Sequence, residues 1–280
     1  MNLDSILKSV KSIPPLSNTT LLIQQLYSGG ADNIDISKLV KVIESDAALT
    51  VNILKMVNAP IYGFSREINS ITQAVSLFGT DKVYGLALNY SISEKLKANT
   101  RIFGMSNIEF NEMCHLQSSL MLQWCSTIDT KIARFLAPLA LIMESGKLVL
   151  SNEIMKNTFA KKYRRLFQEC EIIEECEHEL VGTTSYYISG ILFEYWNLNP
   201  VYVDILKGLD FEEHSKKEVQ KYIHLLDVIR VAVNLKEVLS NDSIYQAAGL
   251  VQDFGFDDKE FMKIASKVKD QYENAKKQRD

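Results

Sequence analysis

Cys170, Cys176 and His178 lie within one nine-residue span, the densest group of soft metal donors in the chain. A short zinc knuckle needs ligand gaps of two to four residues and a second donor pair. Neither is present here, so zinc is not expected. The four cysteines, Cys114, Cys125, Cys170 and Cys176, are scattered through a chain large enough to fold without cross-links, and free thiols are expected rather than disulfides. Six glutamates crowd the stretch from Glu169 to Glu179. Such a run can face a basic partner, but a solvated acidic face is the expectation. His115 stands without a neighbouring donor, and a lone imidazole more often satisfies a local hydrogen bond than a metal. Asp227 precedes Arg230 by three residues, the spacing of an ion pair on a helix. No glycine-rich phosphate loop, Ser-His-Asp order or dinucleotide fingerprint is visible.

The loop from Asn58 to Arg66 carries a different chemistry. It combines Asn58, Tyr62, Phe64 and Arg66, residue types that recur at binding hot spots, on a segment with helical patterns on both sides. Tyr62 and Phe64 are expected to fill a gap between lobes and Asn58 to cap a helix end, leaving Arg66 and its polar neighbours to meet a partner. Asn58, Tyr62 and Arg66 are therefore the candidate partner surface.

These side chains have to be positioned by helices, because no stretch sustains the apolar–polar alternation of a half-buried strand. Asp46 can cap a helix whose Leu49, Ile53, Met56 and Val57 share one face, and Asn58-Ala-Pro60 with Gly63 should end it. Ser70 and Gln73 form a capping signal ahead of Ile71, Ala74, Val75 and Phe78; Gly79 closes that helix and Thr80 can open the next, through Val83, Leu86, Ala87 and Tyr90. Earlier, an amphipathic segment runs from Leu3 to Val10, the Pro14-Pro15 pair breaks it, one helix runs to Gly29-Gly30, and Asp35 begins another. Later helices are expected over Asn107 to Thr127 and Ile132 to Met143, from Pro200, and through Val219 to Ile229 and Phe261 to Val268, with Gln271 to Asp280 fraying. Trp124, Trp196, Tyr186 and Tyr187 fit core or rim positions.

Composition narrows the function further. The hydrophobic content of 46% and charged content of 24% over 280 residues are those of a soluble chain with a sizeable core. A net charge of −4 argues against nonspecific nucleic-acid binding. The most apolar run, Phe135 to Met143, is interrupted by Pro138 and is far short of the roughly 20 residues that cross a bilayer. The first residues lack a secretion signal, so the expected compartment is the cytoplasm.

Four blocks, Ile13-Pro-Pro-Leu16, Ser45-Asp46-Ala-Ala-Leu49, Val57-Asn58-Ala-Pro-Ile-Tyr62-Gly63 and Ile68-Asn-Ser-Ile-Thr-Gln-Ala-Val-Ser-Leu-Phe-Gly79, together resemble the amino-terminal half of an HDOD domain, the HD-related output domain of bacterial signalling proteins. The resemblance extends from Ile13 to about Leu209. It implies an all-α, two-lobe helical fold: an amino-terminal helix over 1–12, an HDOD domain over 13–210 divided into a first lobe (13–100) and an HD-like lobe (101–210), and a helical extension of the latter over 211–280.

HDOD domains are built on the HD superfamily of metal-dependent phosphohydrolases, in which a His directly followed by an Asp joins further His and Asp ligands around divalent metal. Here the matching dyad is Met143-Glu144, the next His position falls on Ser185, and a later His pair falls at Gly208-Leu209. A thioether is a poor ligand for such ions and a lone Glu holds one weakly. The resemblance therefore implies a regulator or adaptor without catalysis, cofactor or metal, meeting a protein partner in trans in pathways such as motility or stress responses. The alternatives are a divergent phosphohydrolase using Glu144, Asp227 and His115, and a sensor that keeps a nucleotide second messenger in the emptied pocket.

Overall fold

The computed structural model describes residues 3–27, 34–59, 62, 64, 66–156, 159–210 and 215–277. The helix-ending roles read for Gly29-Gly30, Pro60 and Gly63 fall outside these residues. The architecture is all-helical, and the one β pairing among the described residues is an isolated bridge between Val233 and Val238. In chain order the helices are α1 (Leu3–Ser12), α2 (Asn18–Tyr27), α3 (Ile36–Glu44), α4 (Ala47–Val57), α5 (Ile71–Leu96), α6 (Asn107–Cys125), α7 (Thr130–Ile142), α8 (Ser145–Lys156), α9 (Ala160–Glu169), α10 (Ile173–Val181), α11 (Ser185–Tyr195), α12 (Pro200–Gly208), α13 (Lys217–Ala232), α14 (Asn241–Asp253) and α15 (Asp258–Lys277). A 3₁₀ turn, Thr100–Phe103, precedes α6.

Two compact units share these elements. The first comprises Met1–Pro15, Ser93–Met113 and Met143–Asp227; the second comprises Leu16–Ile92, Cys114–Ile142 and Val228–Asp280.

In the first unit, α1 is held against the later chain by specific bonds. Ser9 Oγ donates to Glu153 Oε1 (2.7 Å), Tyr195 OH to the Lys11 carbonyl (3.1 Å) and Trp196 Nε1 to the Pro14 carbonyl (3.1 Å). Pro200 occupies the first turn of α12, where its missing amide has no intrahelical partner to lose, and the Asn199 side chain takes the Val201 N–H at 2.9 Å.

In the second unit the start signals are met as read. Asp35 and Asp46 accept the Lys38 and Leu49 amides, each at 3.0 Å, and Ser70 Oγ accepts the Gln73 amide at 3.2 Å. Gly79, at φ +79° and ψ 164°, leaves helical angles, so α5 is two helical segments meeting at a glycine that can adopt the turn without Cβ strain. Pro138 sits inside α7 and faces Gly85, where a Cβ would lie 3.0 Å from the proline Cα. Trp124 is packed edge-on against Phe261 (5.0 Å) and Phe256 (6.1 Å). The fraying read for the chain end is corrected over its first residues: α15 continues to Lys277. Strong helix formers carry it, and Lys276 reaches the ring of Tyr272 one turn back at 5.2 Å.

Candidate functional site

Met143 and Glu144 form the joint between α7 and α8, and both are buried. Immediately after them Gly146 lets α8 touch α11: a Cβ there would lie 1.9 Å from the Ser185 carbonyl oxygen and 2.8 Å from the Ser189 amide. The Gly146 amide donates to Ser189 Oγ (2.7 Å), and that hydroxyl donates to the Met143 carbonyl (2.7 Å). This backbone approach brings the next side chain, Lys147, onto the start of α11.

Lys147 is 1% exposed and meets two of the residues matched to HD ligands, Glu144 and Ser185. Its Nζ lies 2.8 Å from Glu144 Oε2, donates to Ser185 Oγ at 2.9 Å, stands 3.9 Å from Glu177 Oε1 and sits 4.3 Å over the ring of Tyr186. Tyr186 OH donates to Glu144 Oε1 (3.0 Å), and the Ser185 amide donates to Glu177 Oε2 (2.6 Å). Burial alone would lower the Lys147 amine, but Glu144, Glu177 and Glu174 outweigh it and hold the ammonium above its ordinary range. Burial likewise pushes Glu177 up to about 7, against the pull of Lys147 and the Ser185 amide and with Glu174 adding to the rise.

A divalent metal does not fit this donor set. Met143 offers sulfur, and Glu144 and the Ser185 hydroxyl are already bonded to an ammonium. Among the described residues, no three His, Cys, Asp or Glu side chains converge as ion ligands. Gly208 and Leu209 are packing positions: a Cβ on Gly208 would lie 2.4 Å from Ile223 Cδ1, and Leu209 is buried at the end of α12. Asp227 is half-buried on α13.

The Cys170–Cys176–His178 group resolves otherwise than read. Cys170 and Cys176 are joined by a disulfide, a correction to the expectation of four free thiols; Cys114 and Cys125 are free and buried. The tight connection between α9 and α10 brings the two Cα atoms to 6.3 Å, within bridging range. His178 Nε2 instead pairs with Asp210 Oδ1 at 2.8 Å, while Thr183 Oγ1 and the Thr184 amide donate to Asp210 Oδ2 at 3.1 and 3.3 Å. Of the six glutamates, Glu169, Glu171, Glu175 and Glu179 are exposed as expected, Glu174 is half-buried, and Glu177 is fully buried.

The candidate partner surface belongs to the second unit. The Asn58 side chain is committed internally: its Oδ1 accepts the Ile68 amide (2.8 Å) and its Nδ2 donates to the Ile68 and Leu54 carbonyls (2.9 Å each). Tyr62 packs edge-on against Phe78 (4.8 Å) and bonds through its hydroxyl to His115 Nδ1 (2.5 Å). Phe64, 45% exposed, and Arg66, also exposed, remain on the outside. Beside them is a cleft of about 400 Å³ lined by Leu54, Lys55, Asn58, Glu67, Ile68 and Asn69.

Sequence reasoning missed Lys147, Glu177 and Lys82. Glu177 falls at i+4 from Ile173 and i−4 from Val181, on the buried stripe of α10, which was the pattern that could have singled it out. Lys82 is 5% exposed and donates to Ser118 Oγ at 2.7 Å, 5.4 Å from the Tyr62 ring. Lys147 lies within a stretch from Leu139 to Leu150 that is buried throughout, where a charge needs a partner.

Comparison with known proteins agrees with this architecture. The family model of the HDOD domain matches residues 13–208. No curated protein matches the sequence. Among solved structures, a Shewanella amazonensis SB2B protein with a provisional phosphohydrolase name superposes with a TM-score of 0.74 at 15% identity, over 98% of this chain and 97% of that one. An HDOD domain protein of unknown function from Geobacter sulfurreducens gives 0.67 at 15% identity, over 98% and 97%. A Marinobacter aquaeolei VT8 protein with a provisional signal-transduction name gives 0.69 at 19% identity, and this chain spans 98% of its own length but 61% of that protein.

Proposed function

Since this chain belongs to the HDOD family, we propose that it is a cytoplasmic signal-transduction adaptor that acts by binding a protein partner and does not hydrolyse phosphate esters. The reading rests on the Lys147 ammonium. It stands 2.8 Å from Glu144 and 2.9 Å from Ser185, two of the positions that the HD resemblance matches to metal ligands. A cation carried by the chain itself satisfies the carboxylate that would otherwise recruit one from solution. It presents no water to deprotonate, so the step on which metal-dependent hydrolysis depends has no agent there.

With catalysis set aside, contact is the activity left to explain, and the exposed Phe64 and Arg66, which lie in sequence between the mutually bonded Asn58 and Ile68, supply a surface for it. Two measurements test the reading. The purified protein, given manganese and a generic phosphodiester, is expected to add nothing to the metal-only rate; turnover abolished by Glu144→Gln overturns the proposal. Affinity capture from native extract is expected to lose its specific partner on Arg66→Ala with the melting temperature unchanged.

A further inference from the structure

We infer that Cys170 and Cys176 form a reversible oxidation site whose state governs how firmly Glu177 is held at Lys147 and Ser185. The bridge spans the turn between two short helices. Cys170 ends α9, its amide bonded to the Leu166 carbonyl at 2.8 Å, and Cys176 lies in α10. α10 has nine residues, and Ile172 at its start gives it no side-chain cap. A helix that short is not stable on its own and depends on what fixes its ends. The disulfide is the covalent tie at that end.

The consequence passes to the buried cluster through one peptide bond. Glu177 directly follows Cys176, and its carboxylate, fully buried, takes the Ser185 amide at 2.6 Å and faces Lys147 at 3.9 Å. Fixing the sulfur of Cys176 fixes the turn that aims Glu177 inward. Releasing it leaves a helix with no side-chain cap at its start to hold a carboxylate that burial opposes.

The geometry also sets the route of exchange. Cys170 is half-buried and Cys176 is 3% exposed, so a small thiolate reaches the Cys170 sulfur first. That attack forms a mixed disulfide on Cys170, breaks the Cys170–Cys176 bond and leaves the electron pair on the Cys176 sulfur, which takes a proton. A second small thiolate attacks the mixed disulfide at the small thiol's sulfur, releases a symmetric small-molecule disulfide and frees Cys170. Two electrons pass from the two small thiols to the two cysteines, and a low-molecular-weight disulfide reverses both steps. Cys114 and Cys125 are buried and do not compete.

The test uses the full chain equilibrated in buffers of reduced and oxidised glutathione, with alkylation and mass spectrometry for thiol state and amide hydrogen exchange for structure. Cys170 and Cys176 are expected to become alkylatable together in a single transition. Reduction is expected to speed exchange about tenfold or more in α10 and at the Ser185 amide, leaving α14 unchanged. A Cys170→Ser, Cys176→Ser double variant should show the fast pattern in both buffers. Absence of the disulfide at every glutathione ratio overturns the inference, as does exchange at Ser185 that is the same in both states.

Discussion

Lys147 Nζ lies 2.8 Å from Glu144 Oε2, three residues earlier in the chain, and both side chains are 2% exposed. With Glu177 as a second carboxylate, this is a buried ionic group in which one cation serves two acids. Removing the cation leaves the acids desolvated and unpaired. Lys147→Met is therefore expected to destabilise the protein by about 3–5 kcal/mol in urea unfolding. The combined variant Lys147→Met, Glu144→Gln, Glu177→Gln should recover much of that loss, since an apolar or neutral set has no buried charge to compensate. A single variant as stable as the wild type would show that the group is hydrated rather than buried.

Glu177 sets a pH dependence of definite sign. Burial raises its carboxyl from the ordinary 4.5 to about 7. Between those values the folded protein keeps a proton that the unfolded chain has released, so this contribution is complete below about 4.5 and is lost as pH rises through about 7. Urea midpoints at pH 5, 6 and 7 should fall for the wild type relative to Glu177→Gln. A constant difference between the two would show that the carboxyl titrates normally.

Gly146 and Gly249 offer a paired test of the helix contact. A methyl group at Gly146 meets the Ser185 backbone at 1.9 Å, whereas at Gly249, exposed on α14, nothing lies within 4 Å. Gly146→Ala is expected to cost about 3 kcal/mol or more, because two backbones must separate. Gly249→Ala should stabilise by about 0.5–1 kcal/mol through helix propensity alone. Thermal melts of both variants decide it: equal effects would mean that α8 and α11 do not touch at Gly146.

Local features of this fold could be read from the chain because their physics acts within about four residues. Asp46 and Ser70 bond their own helix starts, Gly79 breaks α5 where a positive φ is needed, and Pro200 opens α12. What periodicity does not carry is the identity of the partner across a buried face. It marks α10 as amphipathic but does not say that Glu177 will meet Lys147, thirty residues earlier. Nor does it bring 228–280 together with 16–92 in one compact unit. α14 escaped notice because its stripe of Ile244, Ala247, Ala248 and Val251 is half alanine, a weak hydrophobic pattern. The Cys170–Cys176 bridge depends on a turn between two helices, whose path no repeat encodes.

The resemblance to the HD superfamily points to positions on α8 and α11 without describing what joins them. Matching Met143, Glu144 and Ser185 to ligand positions directs attention to α8 and α11, where Lys147 reaches both Glu144 and Ser185. A search for missing donors passes over Lys147, one residue past Gly146.

Lys82, in the second unit, gives the opposite pH dependence. Its Nζ donates to Ser118 Oγ (2.7 Å), the Ser118 hydroxyl donates to the Ala137 carbonyl (2.8 Å), and no carboxylate of the described residues pairs with it. Burial lowers the amine from 10.5 to about 7, and the neighbouring His115 is lowered to about 3 by burial first and then by the Lys82 charge. Neutral His115 shares a hydrogen bond through Nδ1 with the Tyr62 hydroxyl. Above pH 7 the folded chain holds fewer protons at Lys82 than the unfolded chain. This contribution is complete only above 10.5, and it is lost as pH falls through about 7. Stability relative to Lys82→Met should therefore rise from about pH 7 to about 9.5, below the ionisation of unfolded tyrosine. Tyr62→Phe, which leaves the buried His115 nitrogen without its hydrogen-bond partner, should cost about 1–2 kcal/mol at neutral pH while keeping the Lys82 slope. Urea titrations of the three proteins across that range separate the two effects, and a slope unchanged by Lys82→Met would assign it to another group.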